Sequence, residues 1–267
     1  MSEPVQSGIA LPRRTLGRGG TAVPIIIWTI GAGMRAADGG IVSAAIVAGA
    51  DWFFIPAAVD IENLPEFKSI LPQSASLILG VDGTEISSRR ITLAQRLKSL
   101  GRPSCAAVML QNVTADEVKS GVPFHRLLQL RDSGLFPAIW IEAQTAPQAQ
   151  WLIEHSPAPA VCVPFSVEDQ SIKYHTTTSS LEMDTALIAA SPVAPGPQDI
   201  SFILSEPAVV SVMVPFPKSL RELSVIIFAA GYPMESAARE SLWEKYTSSH
   251  PAPASRGRHS FFADETA

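Results

Sequence analysis

Charge is scarce in this chain: 17% of its 267 residues are Asp, Glu, Lys or Arg, and 20 basic residues are outnumbered by 25 acidic ones. No basic block accompanies that balance, which argues against a nucleic-acid partner and a cationic membrane surface. The one positive cluster, Arg256, Gly257, Arg258 and His259, reads as a solvated tail. Cysteine is scarce too. Cys105 and Cys162 each lie inside an apolar run, where a free thiol behaves as a small buried hydrophobe, so a reducing compartment is expected. No segment reaches the ~18 apolar residues of a membrane span. The opening MSEPVQSGIALPRR lacks the basic start and apolar core of a signal peptide, and the expectation is a cytoplasmic protein with no membrane partner. His/Cys metal spacing, a Gly-x-Ser-x-Gly elbow and a nucleophile with a paired base are all missing, so no metal is assigned. The Gly31, Ala32, Gly33 triplet continues as Met34, Arg35, Ala36, which fails the dinucleotide fingerprint.

What the chain does have is apolar mass, 46% of its residues, enough for one large domain. The stretch Ser133 to Phe165 shows how that mass is arranged. An apolar run from Pro137 to Ile141 is followed by a polar break, a periodic segment with Ala149, Leu152 and Ile153, and a second run from Ala160 to Val163. Strand-length runs separated by one helix-length segment are the sequence form of a βαβ unit.

The unit repeats in both directions. Further strands are expected at Pro24–Ile30, Trp52–Ile55, Ala75–Val81, Cys105–Leu110, Thr185–Ala190 and Val209–Val214. Helices are expected from Asp38 to Gly49, Leu64 to Ile70, around Ile91 to Leu100 as an amphipathic helix with cations between its apolar positions, and Ala115 to Arg131 with a break near Gly121 and Pro123. Others follow at Asp199–Glu206, Leu220–Ala230 and Met234–Tyr246. The Ser/Thr-rich segment 166–184 has little periodicity and reads as a loop with one helical turn, leaving Lys173, Tyr174 and His175 in solvent. Gly17, Gly19 and Gly20 mark a hairpin ahead of the first strand. Eight strands alternating with helices give the fold class α/β, a (β/α)8 TIM barrel closed at its bottom by an N-terminal β-hairpin, with an open doubly wound sheet as the alternative. The expected organisation is a flexible arm, residues 1–12, one barrel domain, 13–247, and a disordered tail, 248–267.

These residues resemble a family. RRTLGRGGTAVPIIIWTIGAG is similar to the hairpin and first strand of the aldo-keto reductases. LAQRLKSLGRPSCAAVMLQN, LLQLRDSGLFPAIWIEAQT, VCVPFSVEDQ, AASPVAPG and EPAVVSVMVPFPKS then resemble the family's segments at the fourth to eighth strands, in order. The resemblance covers residues 13 to 246 and rests on collinearity. It implies an NADP-dependent reductase barrel whose catalytic tetrad is Asp, Tyr, Lys and His. At those positions this chain has Ile55, Asp60, Val81 or the adjacent Asp82, and Gln111, so no tetrad member is kept. Where the family holds the nicotinamide carboxamide with Ser-Asn and Gln, the chain has Glu142, Ala143 and Cys162. Phe165 replaces the Tyr that stacks on the ring. Lys218 and Ser219 match the segment that grips the adenosine phosphate, but the following Glu-Asn pair becomes Val225 and Ile226.

Three functions follow. The first is a non-reducing pseudoenzyme or binding subunit that holds NADP weakly or not at all. The second is an NADP-dependent carbonyl oxidoreductase with relocated catalytic groups. The third is a non-redox acid-base or metal enzyme built on Asp60, Asp82, Gln111 and Glu142, gathered in one pocket at the strand ends. The sequence names no substrate and no protein partner.

Overall fold

Strands buried on both faces pair in parallel when a helix returns the chain between them, and here the sheet closes on itself. The computed structural model describes residues 10–17, 20–31, 34, 38–61, 67–83, 86, 93–190 and 195–250. The hairpin comes first, β1 (Arg13–Leu16) and β2 (Thr21–Pro24), paired antiparallel. Eight parallel strands follow: β3 (Ile26–Thr29), β4 (Trp52–Ile55), β5 (Ser76–Asp82), β6 (Ala107–Gln111), β7 (Ala138–Glu142), β8 (Ala160–Pro164), β9 (Ala186–Ala190) and β10 (Val209–Pro215). They form a closed barrel in chain order, β10 pairing with β3, which rules out the open sheet.

Around them stand α1 (Gly39–Val47), α2 (Phe67–Ile70), α3 (Leu93–Ser99), α4 (Ala115–Ser120), α5 (Val122–Arg131), α6 (Ala146–His155), α7 (Ile172–Met183), α8 (Pro197–Leu204), α9 (Leu220–Gly231) and α10 (Ser236–Ser249). The expected break after Ala115 falls at Gly121, whose φ of 65° sits in the left-handed region that glycine enters without strain. The ends of the chain, residues 1–9 and 251–267, lie outside the described residues, as do Glu62 and Ile91.

Strand alternation separates two cores. Ile27, Phe54, Ile78, Met109, Trp140, Cys162 and Ile188 fill the barrel interior, where Trp52 and Trp140 stack with centroids 5.9 Å apart. Trp28, Phe53, Ile55, Leu79, Leu110, Ile141 and Val163 point outward beneath the helices. Leu16 and Val23 of the hairpin belong to the interior cluster, so the hairpin closes the N-terminal end. Gly17 makes that seat possible, since a Cβ there would collide with the Asp184 carbonyl oxygen and lie 3.0 Å from its carbon.

Segment 166–184 departs from expectation. It contains α7, twelve residues long, in place of a loop with one turn. Its buried face is Ile172, Thr176 and Ser180, spaced i, i+4, i+8. Thr176 Oγ1 donates to the Ile172 carbonyl at 2.7 Å and Ser180 Oγ to the Thr185 carbonyl at 2.5 Å. Two of the three inward positions are hydroxyls satisfied by backbone, so a hydrophobic period does not show the face. Lys173 and Tyr174 are accordingly not solvated loop residues. Lys173 Nζ lies 4.6 Å from the Trp243 ring centroid and 3.9 Å from Glu206, and Tyr174 Oη donates to the His250 carbonyl at 2.6 Å, tying α10 to the barrel. The side chain of His175 lies outside the described residues.

Candidate functional site

Strand parity decides which residues meet at the barrel's carboxyl end. On β5, Ile78, Gly80 and Asp82 share the inward face; on β6 it is Met109 and Gln111, and on β7 Trp140 and Glu142. Asp82 and Gln111 are register partners. The carboxamide of Gln111 bridges three elements: its Oε1 accepts from the Ala57 amide at 2.9 Å and its Nε2 donates to Glu142 Oε2 at 3.0 Å. Gly80 provides the space. A Cβ on Gly80 would collide with Gln111 Oε1 and lie 2.6 Å from the Ala57 nitrogen. Asp82 accepts from Asn112 Nδ2 at 2.9 Å, with Asn112 at a left-handed φ of 51°.

Behind this row sits Arg96, one of the cations between the apolar positions of its helix. It is buried, and its guanidinium donates to the carbonyls of Gly80, Pro56 and Val59, fixing the end of β4 against β5. A cation among apolar helix positions carries no mark of this role, because its partners are backbone carbonyls far away in sequence.

Glu142 lines a cavity of about 510 Å3 with Gln144, Thr145, Asp169, Ser171, Cys162 and Pro164 among its walls. Burial pushes the Glu142 carboxyl above the ordinary glutamate value, and hydrogen bonds from Gln111 and Gln144 partly offset the rise. Burial, together with the Glu142 charge, pushes the Cys162 thiol well above its usual range. Thr145 caps α6, its side chain accepting from the Gln148 amide, while Gln148 Oε1 accepts from the Gln144 amide. Sequence reading missed Gln144, Thr145, Asp169 and Ser171; the Thr145-to-Gln148 spacing was the available signal for a helix start at the mouth. Among the described residues lining the cavity, Glu142 and Asp169 are acidic and none is Lys, Arg or His.

The other sequence-derived positions fall elsewhere. Asp60 is exposed in the loop after β4, and none of Asp60, Asp82 and Gln111 is among the residues lining this cavity, so of the four residues expected in one pocket only Glu142 borders it. Ile55 and Val81 face the outer core. Phe165 is 1% exposed and packs 5.4 Å from Phe202 under α8, so its ring belongs to the outer core instead of the mouth. Lys218 and Ser219 are exposed at the start of α9. There Ser219 Oγ accepts from the Glu222 amide at 3.1 Å, and Glu222 Oε2 accepts from the Lys218 amide at 2.8 Å. Among the described residues no three His, Cys, Asp or Glu gather to hold a metal, and no helix is long and apolar enough to cross a membrane.

An eight-stranded barrel with a hairpin under it and its polar residues at the strand ends has close structural counterparts. The fold is that of the aldo-keto reductases. Aldo-keto reductase AKR11C1 from Bacillus halodurans superposes with a TM-score of 0.70 at 12% identity, over 88% of this chain and 95% of that one. The thermostable aldo-keto reductase Tm1743, in complex with epalrestat, gives 0.71 at 13% identity, over 87% and 98%. A Pseudomonas aeruginosa protein assigned as an aldo-keto reductase gives 0.72 at 14%, over 86% and 98%. No family model and no curated protein sequence matches the chain. On this aldo-keto reductase fold, the mouth carries a Gln111–Glu142 bridge and an acid-lined cavity.

Proposed function

We propose that this barrel is a binding protein on the aldo-keto reductase fold, without hydride chemistry, whose mouth takes a small non-anionic ligand rich in hydrogen-bond donors. The observation that carries the reading is the Gln111–Glu142 bridge, whose Glu142 lines the cavity. A reductase needs a proton donor with activators at the strand ends; the inward residues at the ends of β5, β6 and β7 are two carboxyls and an amide. A dinucleotide needs donors for its carboxamide and cations for its phosphates, whereas Glu142 and Asp169 offer acceptors and like charge. At the start of α9, the Glu222 carboxylate already accepts from the Lys218 backbone N–H, and the Glu222 N–H is taken by Ser219 Oγ, so two donors that a phosphate would use are occupied. Each lost hydrogen bond costs about 0.5–1.5 kcal/mol, so several together weaken binding by orders of magnitude.

The test is NADPH titration followed by quenching of the five tryptophans, with a generic aldehyde assayed in parallel. The expected result is no saturable quenching and no turnover. Micromolar affinity with turnover overturns the reading, and affinity without turnover replaces it with a cofactor-sensing pseudoenzyme. One observation favours a second reading, general acid-base catalysis: the raised Glu142 carboxyl beside a cavity. A catalysed hydrolysis or isomerisation abolished by Glu142→Gln, with ligand affinity retained, selects it.

A further inference from the structure

We propose a second binding site, in the cleft between α5 and α6, for a single-ring aromatic molecule bearing a hydrogen-bond donor, a phenol or an aniline. The cavity there measures about 210 Å3. Its floor is Leu110 and Ile141, register partners on β6 and β7, and its walls are Phe124 and Leu128 of α5 with Trp151 and Leu152 of α6. Phe124, Leu128 and Trp151 are half-buried, so large apolar side chains face the cleft. The left-handed turn at Gly121, with Pro123 at the start of α5, breaks the helix at one end of the cavity.

The volume sets the ligand's size. An apolar cavity of about 150 Å3 is enough to take benzene, and drug-sized ligands need roughly 300 Å3 or more. One ring with one substituent fits between those limits.

The polar end sets the ligand's chemistry. Glu117, His125, Ser156 and His155 supply the cavity's polar lining, and the exposed His155 ring is held flat against Trp151, centroids 4.7 Å apart and planes 9° apart. Its Nδ1 lies 3.0 Å from the Trp151 carbonyl oxygen. A carbonyl only accepts, so in the tautomer that makes this hydrogen bond Nε2 is left as an acceptor for a ligand O–H or N–H. The class is therefore a donor-bearing ring.

Phenol, with toluene as its donor-free counterpart, tests this on the full chain by 13C-methyl NMR of Leu and Ile. Phenol should give saturable shifts at Leu110, Leu128, Ile141 and Leu152, with affinity about three- to tenfold above that of toluene from one added hydrogen bond. Leu128→Trp should abolish saturation by filling the cleft, and Leu128→Phe fills the same space if the larger ring prevents folding. Glu142→Gln should leave phenol binding unchanged, which separates this site from the mouth. Shifts centred on the mouth, toluene binding as tightly as phenol, or saturation that survives in folded filled variants would each overturn the proposal.

Discussion

Gln111 donates to Glu142 across the β6–β7 ladder at 3.0 Å, one residue beyond the Leu110–Ile141 register pair. The contact holds in place a carboxyl that burial has pushed toward its neutral form. A folded-state value above the unfolded one favours the protonated acid in the native protein. That stabilisation is complete below the ordinary value of 4.5 and is lost as the pH rises through the folded value. Glu142→Gln keeps an oxygen to accept from Gln111 and removes the ionisation. Its stability relative to the parent should therefore increase from about pH 4 to about pH 8 in urea unfolding. A difference that stays flat across this range would show that Glu142 is not perturbed.

Gly80→Ala places a methyl where the Gln111 carboxamide now lies. Overpacking of this sort costs about 1–3 kcal/mol. Displacing Gln111 also removes a donor to Glu142, so the carboxyl should titrate still higher, as read by 13C NMR of its side chain. Loss of stability without a change in that titration would mean the bridge reforms around the new methyl.

Neither thiol should react in the folded protein. Burial pushes Cys105 up to about 12 and Cys162 well above its usual range, so almost no thiolate is present at neutral pH. Labelling by an aromatic disulfide should be slow in buffer and reach both cysteines in denaturant; rapid labelling of either in buffer would contradict the packing.

The hydroxyl face of α7 makes a further prediction. Ser180→Ala removes a buried donor to the Thr185 carbonyl and should cost about 1–2 kcal/mol. Thr178→Ala, on the exposed side of the same helix, should stay within about 0.5 kcal/mol. Equal effects at the two positions would mean the buried hydrogen bond contributes little.

These cases show where sequence reading succeeds. Strands such as Trp52–Ile55 were legible to the residue, because a strand buried on both faces is a bare apolar run bounded by turn residues. The break at Gly121 was legible because glycine and proline act locally. α7 was not, since hydroxyls satisfied by backbone carry no hydrophobic period. Arg96 was not, since a guanidinium bound to distant carbonyls looks like any surface cation. At the mouth, strand ends pointed to one pocket for Asp60, Asp82, Gln111 and Glu142, of which only Glu142 borders the cavity, and the Gln111 bridge needed Gly80 and Ala57, which approach only once the barrel closes.

Consecutive residues on β6 and β7 serve different compartments: Leu110 and Ile141 floor the outer cleft, while Gln111 and Glu142 face the mouth. The two compartments are thus written in one reading frame. Substitution can retune either without touching the other, but deletion of a single residue within either strand would put an amide or a carboxyl under the helices and an aliphatic chain at the mouth. Strand length is therefore the constraint that both compartments share.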